Sequence, residues 1–305
     1  MNLESLLTEQ RNPASDAIDA RPTHEVLAII NDEDRRVADS VTPEIPAIAK
    51  LVDGIAERMD RGGRLFYIGA GTSGRLGVLD AAECRPTFNA PAELVQGVIA
   101  GGEAALARAT EASEDDPTAG VRDLEARGFG PNDTLVGIAA SGRTPYVLGA
   151  IDWARSVGAL TAGISCTPAS ELAARAEIAI TPLPGAEIVT GSTRMKAGTA
   201  TKLVLNMIST GVMIRRGAVF GNLMVNVQPT NEKLRHRARR IVRDATRVDD
   251  ARAAALLEAA GDTVRTAIVM ARLNTTRERA EALLAAAGNR VSEVINRNQN
   301  GSVSD

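Results

Sequence analysis

Hydrophobic and polar positions divide the middle of the chain into short apolar runs that alternate with longer segments of mixed polarity. The apolar runs, at 65–69, 94–99, 134–139, 160–165 and 178–181, are typical of buried parallel strands. Between them lie segments with helical character, near 74–82, 103–113, 118–127, 144–157 and 169–175. Since helices separate continuous apolar strands, the pattern predicts an α/β fold, a three-layer αβα sandwich with a parallel sheet.

The chain before the sheet has a different pattern. Residues 1–50 mix helical and irregular character and predict an N-terminal helical arm, in which Asn31-Asp-Glu-Asp34 could begin a helix. Pro43 and Pro46 are expected to interrupt that helix. An amphipathic helix is predicted over 48–62, ending at a glycine pair.

After the sheet, the sequence predicts helices alone. A long apolar helix over 194–216 is expected to be buried, in a core or at a subunit interface. Residues 256–269 and 283–295 form a weak repeat, each a helix closed by glycine and followed by a second helix. The predicted domains are therefore an arm at 1–50, a ligand-binding domain at 51–220 and a small helical bundle at 221–305.

Composition excludes several classes of function. A net charge of −3 and an aromatic content of 2% do not favour a nucleic-acid partner. No apolar run reaches the roughly 18 residues that a membrane helix needs, and no secretory signal is recognised, so we expect a cytoplasmic protein without a membrane partner. Two histidines, His24 and His236, and two unpaired cysteines give no metal-binding or disulfide pattern.

Two loops rich in glycine and hydroxyl groups follow the predicted strands at 65–69 and 134–139. The first, Gly69-Ala-Gly-Thr-Ser-Gly-Arg75, supplies Thr72 and Ser73, and the second supplies Ser141, Gly142, Arg143 and Thr144 before a helix-starting proline. Carboxyl ends of parallel strands share one sheet edge, and N–H groups at a helix start bind anions. A pocket for a phosphorylated small molecule is predicted. The first loop matches a dinucleotide fingerprint, but no acidic residue follows the next strand, so a nicotinamide cofactor is not expected.

A third polar cluster precedes the long apolar helix. It contains Glu187, Ser192, Arg194 and Lys196, more polar groups than a helix cap requires, and a substrate-facing role is therefore predicted. Capping of the helix by Ser192 or Thr193 is the alternative and could coexist with ligand contact.

Carboxylates are the remaining candidates for catalysis. Glu83 and Glu114 lie 31 residues apart, and only the fold could bring them together. Each taken alone is more typical of a solvated surface acid. Neither histidine obviously completes a serine triad, and a cysteine nucleophile at Cys84 or Cys166 is only weakly motivated. Acid–base chemistry by carboxylates is what remains.

Long blocks of the chain resemble the N-acetylmuramic acid 6-phosphate etherase family, which is built on a SIS (sugar isomerase) domain. One of them is Gly191-Ser-Thr-Arg-Met-Lys-Ala-Gly-Thr-Ala200. The others are at 30–34, 69–87, 99–103, 137–146 and 219–225. The resemblance extends from the arm to the helical tail and implies a SIS-type phosphosugar-binding fold.

The resemblance also implies a reaction. The family cleaves the lactyl ether of N-acetylmuramate 6-phosphate to N-acetylglucosamine 6-phosphate and D-lactate, in the recycling of cell-wall sugars in the bacterial cytoplasm. Its catalytic acids match Glu83 and Glu114, and no metal or organic cofactor is implied. The 6-phosphate would bind the second loop, with Thr72 and Ser73 nearby. Ser192, Arg194 and Lys196 would meet phosphate, lactate carboxylate or the N-acetyl group.

Homodimers are expected from the same resemblance, with sites near the subunit interface. Two alternatives stay open on the residues: a sugar-phosphate isomerase, which shares the acidic C2–H, and a non-enzymatic sensor of sugar phosphates.

Overall fold

A five-stranded parallel sheet lies at the centre of the first part of the chain. The structure, a computed structural model, describes residues 7–108, 114–227 and 231–300. The strands are β1 (Leu65–Gly69), β2 (Val95–Ile99), β3 (Thr134–Ile138), β4 (Leu160–Ile164) and β5 (Ile178–Ile180). Their order is β2-β1-β3-β4-β5. The predicted α/β architecture is confirmed.

All five strands end at the same level. Gly69 is paired with Ile99 on one side and Ile138 on the other, and the pairing continues through Ile164 to Ile180. Each of these residues is the last of its strand, so every following loop leaves from one edge of the sheet.

Fourteen helices are described in residues 7–108, 114–227 and 231–300. They are α1 (Thr23–Asp34), α2 (Val37–Val41), α3 (Ile45–Asp60), α4 (Gly71–Phe88), α5 (Ala104–Ala107), α6 (Ala119–Glu125), α7 (Pro145–Ser156), α8 (Glu171–Arg175), α9 (Lys196–Arg215), α10 (Glu232–Thr246), α11 (Asp250–Ala259), α12 (Val264–Leu273), α13 (Arg277–Ala286) and α14 (Val291–Asn300). Short 3-10 helices occupy Leu7–Glu9, Pro13–Ser15, Ile18–Ala20 and Thr42–Glu44. A two-stranded antiparallel sheet, β6 (Val219–Phe220) and β7 (Leu223–Met224), was not predicted.

Helices cover both faces of the parallel sheet. Phe66 and Ile68 of β1 belong to the core cluster that includes residues of α7. Between them in the strand, Tyr67 faces α4, where a Cβ placed on Gly77 would lie 2.8 Å from Tyr67 Cβ. Successive strand residues point to opposite faces, so α4 and α7 cover different sides.

Several predicted helix boundaries, in the arm and in the sheet domain, differ from those in the structure. Residues Asn31 to Asp34 end α1 instead of beginning a helix, and Pro46 lies in the first turn of α3, where its missing N–H costs nothing. Helix α4 begins earlier than predicted and continues through Pro86. Of the helix predicted over 103–113, Ala104–Ala107 is observed, and residues 109–113 lie outside the described residues.

Residue contacts divide the chain into two compact units. The first comprises the residues up to 82 and 92–211, and the second comprises 83–91 and those from 212 onward. The second unit has its own apolar core, to which all five helices from α10 to α14 contribute. Its predicted repeat is confirmed, because α11 and α13 are each followed by a glycine with positive φ, Gly261 (61°) and Gly288 (58°). The three-segment domain division stays a prediction.

Candidate active site

The two glycine- and hydroxyl-rich loops leave neighbouring strands at the point where the strand order reverses. The chain proceeds from β1 to β2 on one side and from β3 to β4 and β5 on the other. Such a reversal opens a crevice at the carboxyl ends of the two central strands, which is where open α/β sheets bind ligands.

The first loop is short because α4 begins almost at the end of β1. Gly71 has a φ of +52°, and Thr72 and Ser73 follow, half-buried, in the first turn of the helix. A Cβ on Gly74 would lie 2.6 Å from the Gly69 carbonyl oxygen. Glycine at this position therefore lets the helix approach the strand end closely.

The second loop packs tightly against the end of β3 and against Ser170. Gly142 has a φ of +69°, its N–H donates to the Ala139 carbonyl at 2.8 Å, and a Cβ there would lie 2.3 Å from Ser170 Cβ. Thr144 immediately precedes α7, whose first residue is the predicted Pro145. Ser141 is half-buried, so its hydroxyl can still meet a ligand in the crevice.

Glu114 reaches this second loop. Thr144 Oγ1 donates a hydrogen bond to Glu114 Oε1 at 3.1 Å, and the Tyr146 N–H donates to the Glu114 carbonyl at 3.0 Å. The segment that follows Glu114 packs closely on α7, because a Cβ on Gly149 would lie only 2.0 Å from the Pro117 carbonyl oxygen. A predicted acid–base residue and a predicted phosphate-binding residue thus lie in direct contact.

Arg143 carries a donor that could bind an anion. Its Nη1 is buried and has no hydrogen-bond partner within the part of the chain that the structure describes. Its Nε lies 3.8 Å from Glu171 Oε1, too far for a hydrogen bond, and a third of the side chain is exposed.

Glu83 is exposed near the end of α4. Its contacts assign it to the second unit. Its carboxylate is therefore accessible to solvent and to a solute. Glu114, in contrast, belongs to the first unit and is half-buried.

Glu187 caps helix α9. Its side chain is 1% exposed, and its two oxygens accept the N–H groups of Lys196 at 2.9 Å and Ala197 at 3.0 Å. A carboxylate at this position satisfies donors that the helix leaves unpaired and interacts favourably with the helix dipole. The cap is thus Glu187, whereas the capping alternative raised from the sequence named Ser192 or Thr193.

Lys196 is turned into the protein. Its Nζ lies 2.6 Å from Glu33 Oε2 and 2.9 Å from the Ala186 carbonyl oxygen, and the residue is 2% exposed. Asn12 donates to the same Glu33 oxygen at 2.9 Å, and Arg36 pairs with the other at 3.0 Å. Burial acts to raise the pKa of Glu33, but the hydrogen bonds from Lys196 and Asn12 and the neighbouring positive charges outweigh it and lower that pKa.

Nothing in the sequence predicted that Glu33 and Asn12 contact this cluster, although Glu33 lies in the segment at 30–34 that resembles the family. Their partner Lys196 was expected to face substrate. The structure instead gives the charged atoms of Lys196 and Glu187 partners inside the protein.

Arg194 remains on the surface and lines a groove between the starts of α4 and α9. The groove has a volume of about 270 Å³. It is lined by Thr72, Leu76, Arg194, Gly198, Thr199, Lys202 and Leu203. Ser192 is half-buried in the segment before α9. Lys202 is a second cation at the groove that sequence reasoning did not single out.

Residues 7–108, 114–227 and 231–300 contain no group of three His, Cys, Asp or Glu side chains able to hold a metal ion. Burial, with the charge of Glu187, raises the pKa of the Cys166 thiol to about 12, which disfavours its thiolate as a ligand or nucleophile. Within the same described ranges, no helix is both long and apolar enough to cross a bilayer.

The parallel sheet, together with a family match, places this part of the chain in the class of SIS domains. The family model for the glucokinase regulatory protein N-terminal SIS domain matches residues 47–155. The phosphoheptose isomerase of Neisseria gonorrhoeae superposes with a TM-score of 0.48 at 15% identity, covering 63% of this chain and 99% of that one.

Closer relatives are similar over almost the whole chain. The N-acetylmuramic acid 6-phosphate etherase of Pasteurella multocida is 52% identical, over 96% of this chain and 97% of its own length. That of Aeromonas hydrophila is 53% identical over 96% and 98%. The chain belongs to the N-acetylmuramic acid 6-phosphate etherase family.

Proposed function

We propose that the protein cleaves the D-lactyl ether of N-acetylmuramate 6-phosphate, giving N-acetylglucosamine 6-phosphate and D-lactate. Family membership at 52–53% identity supports this reading. The observation that carries it in the structure is the hydrogen bond from Thr144 to Glu114, which joins a candidate acid–base group to the candidate phosphate loop. The enzyme is a carbon–oxygen lyase whose product is then hydrated.

Elimination explains why two carboxylates suffice. An ether oxygen is a poor leaving group, but in the open-chain sugar the C2–H is acidic because it lies beside the C1 aldehyde. A base removes that proton, the C3–O bond breaks, and lactate leaves with a proton on its former ether oxygen. Water then adds its hydroxyl at C3 of the unsaturated aldehyde and C2 regains a proton, so one water is consumed overall.

Glu83 and Glu114 are the proposed acid–base pair for these proton transfers. Glu83 would carry protons to the leaving oxygen, Glu114 would be its partner, and the two would share the transfers at C2 and at the incoming water. The same carboxyl must donate in one step and accept in another, which is ordinary for general acid–base catalysis.

The phosphate would bind the second loop. The hydroxyl of Ser141 and the unpartnered Nη1 of Arg143 supply donors of the kind that bind phosphate, and Gly142 and Thr144 complete the loop around it. Thr72 and Ser73 would contribute from the adjacent loop. For Glu187 and Lys196 we propose an indirect role, since both hold the start of α9.

A homodimer in the cytoplasm is part of the proposal. Met207 and Ile214 of α9 are 41% and 49% exposed, which supports the burial of this helix surface by a second copy. Light scattering after size-exclusion chromatography should give twice the 32.0 kDa mass of one chain. A mass of one chain at micromolar concentration would refute the dimer.

The function is tested by lactate release from N-acetylmuramate 6-phosphate. Turnover in heavy water should place deuterium at C2, and turnover in ¹⁸O-water should label C3 of the sugar. Label in lactate would refute elimination, and a ketose phosphate formed without lactate would indicate an isomerase.

Two substitutions test the catalytic residues. Glu83→Gln and Glu114→Gln should each lower kcat by about 10²–10⁴-fold, as expected for loss of a general acid or base. Glu125→Gln, an exposed glutamate of α6, is the matched control and should retain activity. Full activity in Glu83→Gln would remove that residue from the mechanism.

A further inference from the structure

The groove at the starts of α4 and α9 is positively charged. It is the 270 Å³ groove described above, and we name it the α4–α9 groove. Its two charged lining residues, Arg194 and Lys202, are both cations, and Thr72 and Thr199 add hydroxyl groups. Arg194 is exposed and makes no ion pair within the described part of the chain. A groove of this composition suits an anion with hydrogen-bond acceptors.

Lys202 is held beside the groove by two neighbouring groups, Asn206 and Asp80. Its Nζ lies 2.5 Å from Asn206 Oδ1 and 3.9 Å from Asp80 Oδ1. Asp80 is 4% exposed and also accepts a hydrogen bond from Ser209 at 3.2 Å. An ammonium group has three donors, so the Asn206 contact leaves donors for a ligand.

Asp80 offsets part of the Lys202 charge, so one carboxylate faces the two cations of the groove. Burial raises the pKa of Asp80, although hydrogen bonds from Ser209 and Tyr67 and the charge of Lys202 act to lower it. The distance of 3.9 Å is beyond hydrogen-bond range. The α4–α9 groove therefore keeps a net positive charge from Arg194 together with Lys202.

The proposed substrate carries two anionic groups at different carbons, the 6-phosphate and the carboxylate of the lactyl group on C3. The second loop already offers donors for the phosphate. Thr72 belongs both to the first loop and to the groove, and a Cβ on Gly198 of α9 would lie 3.7 Å from Thr72 Cγ2. The groove thus opens directly beside the loop that neighbours the phosphate site.

We infer that the α4–α9 groove binds the lactyl carboxylate through Arg194 and Lys202. The inference rests on the proposed function and deepens it. Arginine presents a planar fork that matches a carboxylate, and lysine adds a point charge. When the C3–O bond breaks, negative charge develops on the oxygen beside this carboxylate, and the same two cations stabilise it. The groove distinguishes the substrate from its sugar product, which has lost the lactyl group and so lacks the carboxylate.

The test compares ligands that differ only in this group. Arg194→Gln and Lys202→Met should each lower kcat/KM for lactate release by about 10- to 100-fold, the effect of losing one charge-assisted hydrogen bond. The Kd of N-acetylglucosamine 6-phosphate, measured by calorimetry, should change less than threefold. Lys50→Met, an exposed lysine of α3, is the control and should change neither quantity.

A neutral analogue isolates the charge. The wild type should bind the substrate acid more tightly than its lactamide, and Arg194→Gln should lose that preference. Lys202→Arg, which keeps the charge, should retain most of it. Thermal melts check folding, and Arg194→Gln keeps the test valid if Lys202→Met unfolds, because Arg194 is on the surface.

Equal losses for substrate and sugar product would overturn the inference, since the cations would then serve the shared phosphate. Unchanged kinetics in both variants would also overturn it. If the wild type releases no lactate, the proposed function fails, and the acid-against-amide binding comparison still decides whether the groove recognises a carboxylate.

Discussion

Replacing Glu33 by Gln should destabilise the first unit strongly. Gln has nearly the shape of Glu, so packing changes little and the negative charge is what is lost. The Glu33 side chain is 8% exposed, and that of Lys196, at 2.6 Å, is 3% exposed. The substitution leaves the Lys196 ammonium buried without its counter-ion and places an amide next to the donors of Asn12 and Arg36.

Removing one partner of a buried ion pair costs about 3–5 kcal/mol, because the remaining charge is uncompensated. For a unit of about 200 residues, each kcal/mol lowers Tm by about 2–4 °C, so a fall of roughly 6–20 °C is expected. Urea unfolding followed by circular dichroism gives the free energy directly, and calorimetry gives the Tm.

The loss should depend on pH in a stated direction. The pKa of Glu33 is lowered in the folded state from its ordinary value of 4.5, so its carboxylate stabilises folding above that pH. That contribution is lost as pH falls through the lowered folded pKa. The difference between wild type and Glu33→Gln should therefore be constant near neutrality and shrink below about pH 4.5.

Two further variants make the reasoning refutable. Asp32→Asn removes an exposed ion pair with Arg35, the residue directly after α1, and should cost less than about 1 kcal/mol. Combining Glu33→Gln with Lys196→Met removes both charges and should recover part of the loss. A cost below about 1 kcal/mol for Glu33→Gln, or no recovery in the double variant, would show that this pair is not what holds α1 and α9 together.

Two other predictions follow from single positions. Gly142→Ala places a side chain on a residue with a φ of +69° and against Ser170. It should lower the free energy of unfolding in urea by about 2 kcal/mol or more and weaken N-acetylglucosamine 6-phosphate binding in calorimetry. Wild-type values in both measurements would contradict the tight geometry of this loop. Cys166 is 1% exposed and its pKa is raised to about 12, so iodoacetamide should not label it at pH 8 in the native protein. It should react once urea unfolds the protein, which peptide mass spectrometry detects. Labelling of the native protein would contradict its burial.

The sheet could be predicted from the sequence almost to the residue. Strand β1 has its predicted bounds, and β2 to β5 each differ by one residue at one end. The reason is that a parallel strand buried on both faces is a continuous apolar run with abrupt polar ends. The β6–β7 pair escaped notice because two residues are too few to show a period.

The site was predictable only where the backbone constrains the residue type. Gly142 and Pro145 are required by a positive φ and by a helix start, so the second loop could be located from sequence. Lys196 could not be assigned in this way, because its partner Glu33 is 163 residues away in the chain. Residue type alone does not distinguish a cation that faces a ligand from one that faces a buried acid.

The start of α9 separates these two roles by helical phase. Lys202 follows Lys196 by six residues, which is about 240° around an α-helix, so the two lysines cannot share a face. Glu187 fixes where the helix begins by binding the N–H groups of Lys196 and Ala197, and this sets the phase of every later residue. Lys196 then meets Glu33 inside, and Lys202 lines the groove with Arg194. The buried Glu33–Lys196 pair should therefore control stability, and Arg194 with Lys202 should control substrate affinity. Substitutions at Glu33 and at Lys202 should affect different measurements.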